Sequence, residues 1–100
     1  MPDPRIFPIE RTVDYAAGVS GVSAIVIAAN PHRVDLEVVN DMETVVYLSR
    51  SDPAVVGEGI KLIHNGSYSM DTQNLFEGAF YGICNAQEDG SIAVSEGYRK

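Results

Sequence analysis

Three carboxylates, Glu37, Asp41 and Glu43, crowd the middle of the stretch LEVVNDMETVVYLSR at residues 36–50. Such groups bind divalent cations or move protons when a fold converges them. Their spacing fits neither role: Asp41 and Glu43 lie two apart, but the glycine and closing glutamate of a calcium loop are missing. Charges kept in water by a polar turn account for them better. The two histidines, His32 and His64, each sit beside turn residues, with no second histidine at a helical or strand spacing. No metal or cofactor is expected.

Nucleophilic chemistry finds as little support. Cys84 lies in the apolar segment AFYGICNA, where a thiol is ordinarily buried and inert. There is no Gly-x-Ser-x-Gly elbow, and the short GEG and NGS stretches are turn signals, not a glycine-rich phosphate loop leading into a helix. Paired carboxylates for glycoside cleavage are set by separation in the fold, which spacing in the chain does not give. Asn65-Gly66-Ser67 matches a glycosylation acceptor, but reads as the Asn-Gly turn of a hairpin between GIKLI and SYSMD. Tyr47, Tyr68, Phe76, Phe80 and Tyr81 could line a binding surface. In a small β protein, rings of this kind also fill the core, with tyrosine hydroxyls at the wet rim.

The elements that would carry these residues are short. Eight segments rich in β-branched and aromatic residues recur every eight to twelve positions: RTVDYA, GVSAIVIAA, RVDLEVV, TVVYLSR, GIKLI, GSYSMD, AFYGICNA and SIAVSEG. They predict an all-β single domain, an antiparallel β-sandwich or jelly-roll-like barrel, over residues 11–100. In RVDLEVV, Val34, Leu36 and Val38 alternate with Asp35 and Glu37, which puts the apolar three in the core. In SAIVIAA alternation is lost, so both faces should be covered, at the centre of the fold or by another subunit. Residues 36–50 read as a hairpin whose second strand is apolar on both sides, Val45 and Tyr47 opposing Val46 and Leu48. A surplus apolar face suggests a partner. One helical turn is possible in MDTQNLFEGAF, capped by Asp71 or Thr72 and ended by Gly78, and SDPAVVGEG reads as the longest loop.

Residues 1–10 hold prolines at 2, 4 and 8, which fix an extended course and lack backbone donors. An arm is expected, and Arg5, Ile6, Phe7, Pro8 and Ile9 are its candidate contact residues, on the same domain or on a neighbour.

Composition narrows the function. At 45% apolar and 21% charged over 100 residues, the chain has the make-up of one globular domain with a modest core. Fourteen acidic residues against seven scattered basic ones give a formal charge of -7, ill suited to neutralising phosphates, so no nucleic-acid partner is expected. The longest apolar stretch, Ala24 to Ala29, falls far short of the roughly 20 residues of a spanning helix, and neither a membrane anchor nor a signal peptide is expected. The single cysteine fits synthesis in a reducing cytoplasm.

Taken in order, AANPHRVDLEVVND, TVVYLS, PAVVGEGIKL, NGSYSMD, NLFEGAFYGICNA and IAVSEG resemble a group of small structural proteins of tailed bacteriophages. The shared pattern runs Asn-Pro-x-Arg, an apolar strand, Asn-Asp, a Tyr-Leu strand, Gly-Ile-x-Leu, an Asn-Gly turn and a final Val-x-Glu-Gly, over roughly residues 28–98. Where similar phage sequences often have Asn-Gly-Gly and then Tyr-Glu, this chain has Asn65-Gly66-Ser67-Tyr68-Ser69, which leaves the turn intact. The resemblance implies a non-enzymatic virion component: a capsid decoration or cement protein bound to the major capsid protein, with a vertex-spike base or neck protein as the neighbouring possibility. A small symmetric homo-oligomer would suit that role, a trimer matching the three-fold positions of an icosahedral shell. Val45 and Tyr47, with the arm residues, are its expected interface. Outside that group, a carbohydrate-binding β-sandwich module would expose rings and polar groups on one sheet face, and a small β enzyme would need a cleft of perturbed ionisable groups.

Overall fold

The computed structural model describes residues 11–71, 74–85 and 89–99. Among them are eight strands and no helix: β1 (Arg11–Ser20), β2 (Ala24–Ile27), β3 (Arg33–Val39), β4 (Val46–Ser49), β5 (Ile60–Leu62), β6 (Ser67–Met70), β7 (Phe80–Cys84) and β8 (Asp89–Tyr98). Each falls on one of the eight segments expected from composition. They form two four-stranded sheets, ordered β1-β8-β3-β6 and β2-β7-β4-β5, with every pairing antiparallel.

This is the order of a jelly roll. β1 pairs with β8, β2 with β7, β3 with β6 and β4 with β5, as if one long hairpin with its tip between β4 and β5 had been rolled over on itself. Only β4 and β5 are consecutive strands of one sheet, and every other connection crosses between sheets. Both expected hairpins are therefore corrected. Residues 36–50 do not fold back within a sheet, because β3 lies in the first and β4 in the second. The Asn-Gly turn does form, with Asn65 at a φ of 65° and the Gly66 N–H donated to the Ile63 carbonyl at 2.7 Å, but it too carries the chain from one sheet to the other. The expected helical turn is absent from the described part of its segment: Asn74 N–H bonds the Asp71 carbonyl at 3.3 Å and Asn74 Oδ1 takes the Asp71 N–H at 2.8 Å, while Thr72 lies outside the described residues.

The core lies between the sheets. Alternate residues point inward: Ala17 and Val19 of β1, Leu36 and Val38 of β3, Val46 and Leu48 of β4, Phe80 and Cys84 of β7, Ile92 and Val94 of β8. The alternation expected for Val34, Leu36 and Val38 holds, all three being buried. Fully burying a side chain such as Phe80 or Leu48 contributes about 1.5–3 kcal/mol. Phe80 is the centre of a ring cluster, with Phe76 edge-on at 5.3 Å and Tyr68 tilted at 5.9 Å. Of the two ways in which β2 was expected to have both faces covered, a place at the centre of the fold is corrected. The strand is outermost in its sheet and carries a register shift between Ile25 and Ile27, so Val26 and Ile27 are buried while Ile25 is 57% exposed.

Candidate docking faces

Two polar residues are more deeply buried than their sequence context suggests. Arg33 is 1% exposed. Its guanidinium lies over the Phe80 ring at 5.7 Å, pairs with the Glu96 carboxylate through Nε, and donates to the carbonyls of Phe76 at 2.7 Å, Gly78 at 3.0 Å and Ala28 at 2.6 Å. One side chain thus ties β8, the β2–β3 connection and the β6–β7 connection together. Asn40 is fully buried and does the same at another crossing point: Nδ2 donates to the carbonyls of Thr44 and Leu62, both at 2.8 Å, and Oδ1 accepts the Met42 N–H at 2.9 Å. Its backbone bonds Gly66 and Asn65, so the β3–β4 and β5–β6 crossings are stitched side by side. Glu37, Asp41 and Glu43, by contrast, are exposed.

These hubs hold structure. Tyr15, near Arg33 and Glu96, has its pKa raised above 10.0, chiefly by burial and then by the Glu96 charge, with Arg33 pulling the other way. The arrangement keeps the phenol neutral. A signal for the Arg33 pair was present in the chain: in SIAVSEG the inward alternation that buries Ile92 and Val94 continues to Glu96, and a carboxylate at a core position demands a buried cation. His32 and His64 lie in different connections, and no group of three or more His, Cys, Asp or Glu side chains among the described residues could hold a metal ion. Cys84 is buried.

The outer faces of the two sheets differ in chemistry. On the first, the outward positions carry Asp14, Asp35 and Glu37 with Ser67, Ser69, Ser91 and Ser95, around one small apolar rung of Ala16, Ala93 and Val39. Ser95 Oγ donates to Asp14 Oδ1 at 2.6 Å across the β1–β8 pair. A shallow trough runs over this face, lined by Asp35, Glu37, Ser69, Asp71, Asn74 and Ser95. The strands of the second sheet contain no Asp or Glu, and Lys61 is their one charge. Register places Ile25 beside Tyr81 and Tyr81 beside Ser49 on one outer rung, and Ile83, Tyr47 and Lys61 on the next. Tyr47, Tyr81 and Ile83 are half-buried, as is Val45, which enters β4.

Of the residues expected to form an interface, Tyr47 stands in the middle of this apolar face and Val45 at the start of its strand. Arg5, Ile6, Phe7, Pro8 and Ile9 lie outside the described residues. The rings expected to act together divide: Tyr68, Phe76 and Phe80 pack with the core, while Tyr47 and Tyr81 stand on the outer face. Tyr81 was among the rings expected to line a binding surface, but Ile25 and Ile83 were missed as surface residues because alternation reveals that a strand has two apolar faces without telling which one meets the opposite sheet.

Comparison with protein-family models, with curated proteins and with solved structures finds no match to this chain.

Proposed function

We propose that this protein is a non-enzymatic structural component of a tailed-phage virion, a capsid decoration or cement protein that docks on the major capsid protein. The observation that carries this reading is the division of chemistry between the two outer faces. An apolar sheet face holding Tyr47, Tyr81 and Ile83, with Lys61 at its rim, suits burial against another protein. A face of carboxylates and hydroxyls suits exposure to water on the far side. The jelly-roll order agrees with such a role, although the same architecture serves sugar-binding proteins and enzymes, so the resemblance in residues 28–98 supplies the phage context.

Cryo-electron microscopy of intact particles tests it. The expected result is density for the domain on the outer shell, with the β2-β7-β4-β5 face toward the capsid, and lower occupancy for Tyr47→Asp at limiting protein. Density at a vertex or the neck would move the docking site while keeping the class. Absence from every particle, or unchanged occupancy for Tyr47→Asp, would overturn the docking reading.

The polar trough on the first sheet gives a second reading its specific observation, because Asp35, Glu37, Ser69 and Asn74 are groups that hydrogen-bond sugar hydroxyls. A melting temperature that rises with an added glycan would favour that carbohydrate-binding reading.

A further inference from the structure

Four large apolar side chains that remain exposed, Val22 (74%), Ile25 (57%), Val55 (42%) and Val56 (52%), gather at one edge of the sandwich. Val22 and Ile25 flank the entry to β2. Val55 and Val56 follow Ala54 in the loop of residues 50–59, and the Ala54 N–H is donated to Ser23 Oγ at 2.8 Å, which seats the loop against the same entry. Ala54 is itself buried. β2 has β7 as its hydrogen-bonded neighbour on one side and forms the edge of its sheet on the other. Its sequence, AIVI, has none of the charges or prolines that ordinarily guard an edge. The strand guards that edge only by its shortness and by the register shift between Ile25 and Ile27, and an uncharged edge beside exposed apolar side chains is what an extended apolar segment adds to.

The chain contains a segment of that chemistry. Residues 5–9 read RIFPI, three large apolar side chains and a proline behind one arginine. The loop that carries Val55 and Val56 also carries Asp52 and Glu58, both exposed, so the patch is rimmed with the charge that Arg5 complements. The chain's own arm falls short of Val22, the far end of the patch. Five residues of fully extended chain place Ile6 within about 18 Å of Arg11, whereas nine strand steps from Arg11 put Ser20 about 30 Å away. Val22 lies two residues beyond Ser20, and Phe7 and Ile9 have shorter tethers than Ile6.

We propose that the patch of Val22, Ile25, Val55 and Val56 receives the arm of a second copy of this chain, with Ile6, Phe7 and Ile9 on the apolar surface and Arg5 toward Asp52 and Glu58. Arms passed from copy to copy close as a reciprocal dimer or a ring. The contact is read in solution, without any particle, so its failure is separate from a failure of capsid docking.

Sedimentation equilibrium of the full chain tests this with two variants, Phe7→Asp, which spoils the arm, and V22D/V56D, which spoils the patch at two exposed positions. The wild type should associate reversibly, and each variant alone should sediment as a monomer. Mixed one to one, they should form a heterodimer, since one retains the patch and the other the arm. Thermal melts check folding, and V22S/V56S replaces the aspartate pair if that melts early. A monomeric wild type at the highest attainable concentration overturns the proposal. So does association of Phe7→Asp at wild-type strength, which would mean that patch meets patch, or a mixture that remains monomeric.

Discussion

Arg33 shows how much of this fold depends on one side chain. Four of its N–H groups are committed to Glu96 and to three backbone carbonyls, and its charge lies on the Phe80 ring. Arg33→Ala leaves a buried carboxylate and three carbonyls without their donor, so a loss of about 3–5 kcal/mol is expected in chemical denaturation. Glu96→Gln keeps an acceptor for Nε and should cost less; equal losses would show that the charge pair, and not the hydrogen bonds, carries the stabilisation. Tyr15 carries a pH signature of the same cluster. Its pKa in the folded protein lies above the ordinary 10.0, so as pH rises the unfolded chain gives up the phenolic proton first. Stability is therefore fully present below pH 10 and falls as pH climbs past it. Tyr15→Phe should flatten that fall in melts taken across the same range.

At the level of elements, the β4–β5 hairpin makes a direct test. Gly57 and Gly59 both have positive φ, 92° and 89°, where a Cβ is strained by about 1–2 kcal/mol. A Cβ on Gly57 meets open space, but one on Gly59 lies 2.4 Å from the Leu48 carbonyl oxygen across the hairpin. Gly59→Ala should thus destabilise clearly more than Gly57→Ala, measured by urea midpoint. The strands themselves were legible, because β-branched runs broken by turn residues reflect a local preference. Their partners were not. The crossings at residues 40–45 and 63–66 are short enough to pass for hairpin turns, whereas the true hairpin has the ten-residue loop 50–59 between its strands. Alternation likewise placed Val34, Leu36 and Val38 inside, yet it missed the buried Asn40, whose burial is satisfied by carbonyls 4 and 22 residues away. A tie of that kind is visible only after the sheets are assembled. For the docking face, the sequence pointed to Tyr47 and Tyr81, while their placing side by side with Ile25 and Ile83 comes from the β2–β7 and β4–β7 pairings, which no local pattern contains.

For the whole molecule, charge is distributed with a consequence for stability. A formal charge of -7 and the grouping of Asp14, Asp35, Glu37 and Asp71 about one sheet face make self-repulsion a cost of folding. Raising sodium chloride from about 0.05 to 0.5 M shortens the Debye length from over 10 Å to under 5 Å, and the melting temperature is expected to rise with it. A flat response would show that the carboxylates are already too well hydrated to repel. Neutralising Asp35 by Asp35→Asn should act in the same direction and reduce the salt effect.

The place of β8 decides when this fold can exist. β8 follows every other strand in the chain, yet it sits between β1 and β3 and bonds both along their length. A nascent chain that has emerged only through β7 can assemble the whole of the β2-β7-β4-β5 sheet. Its other sheet is limited to β3 with β6, and β1 has no bonded neighbour. The ten residues Asp89–Tyr98 are thus the closing piece during synthesis. A stop codon just before them would release a half-built sandwich with its core open, whereas the same loss of ten residues from a peripheral strand would trim an edge.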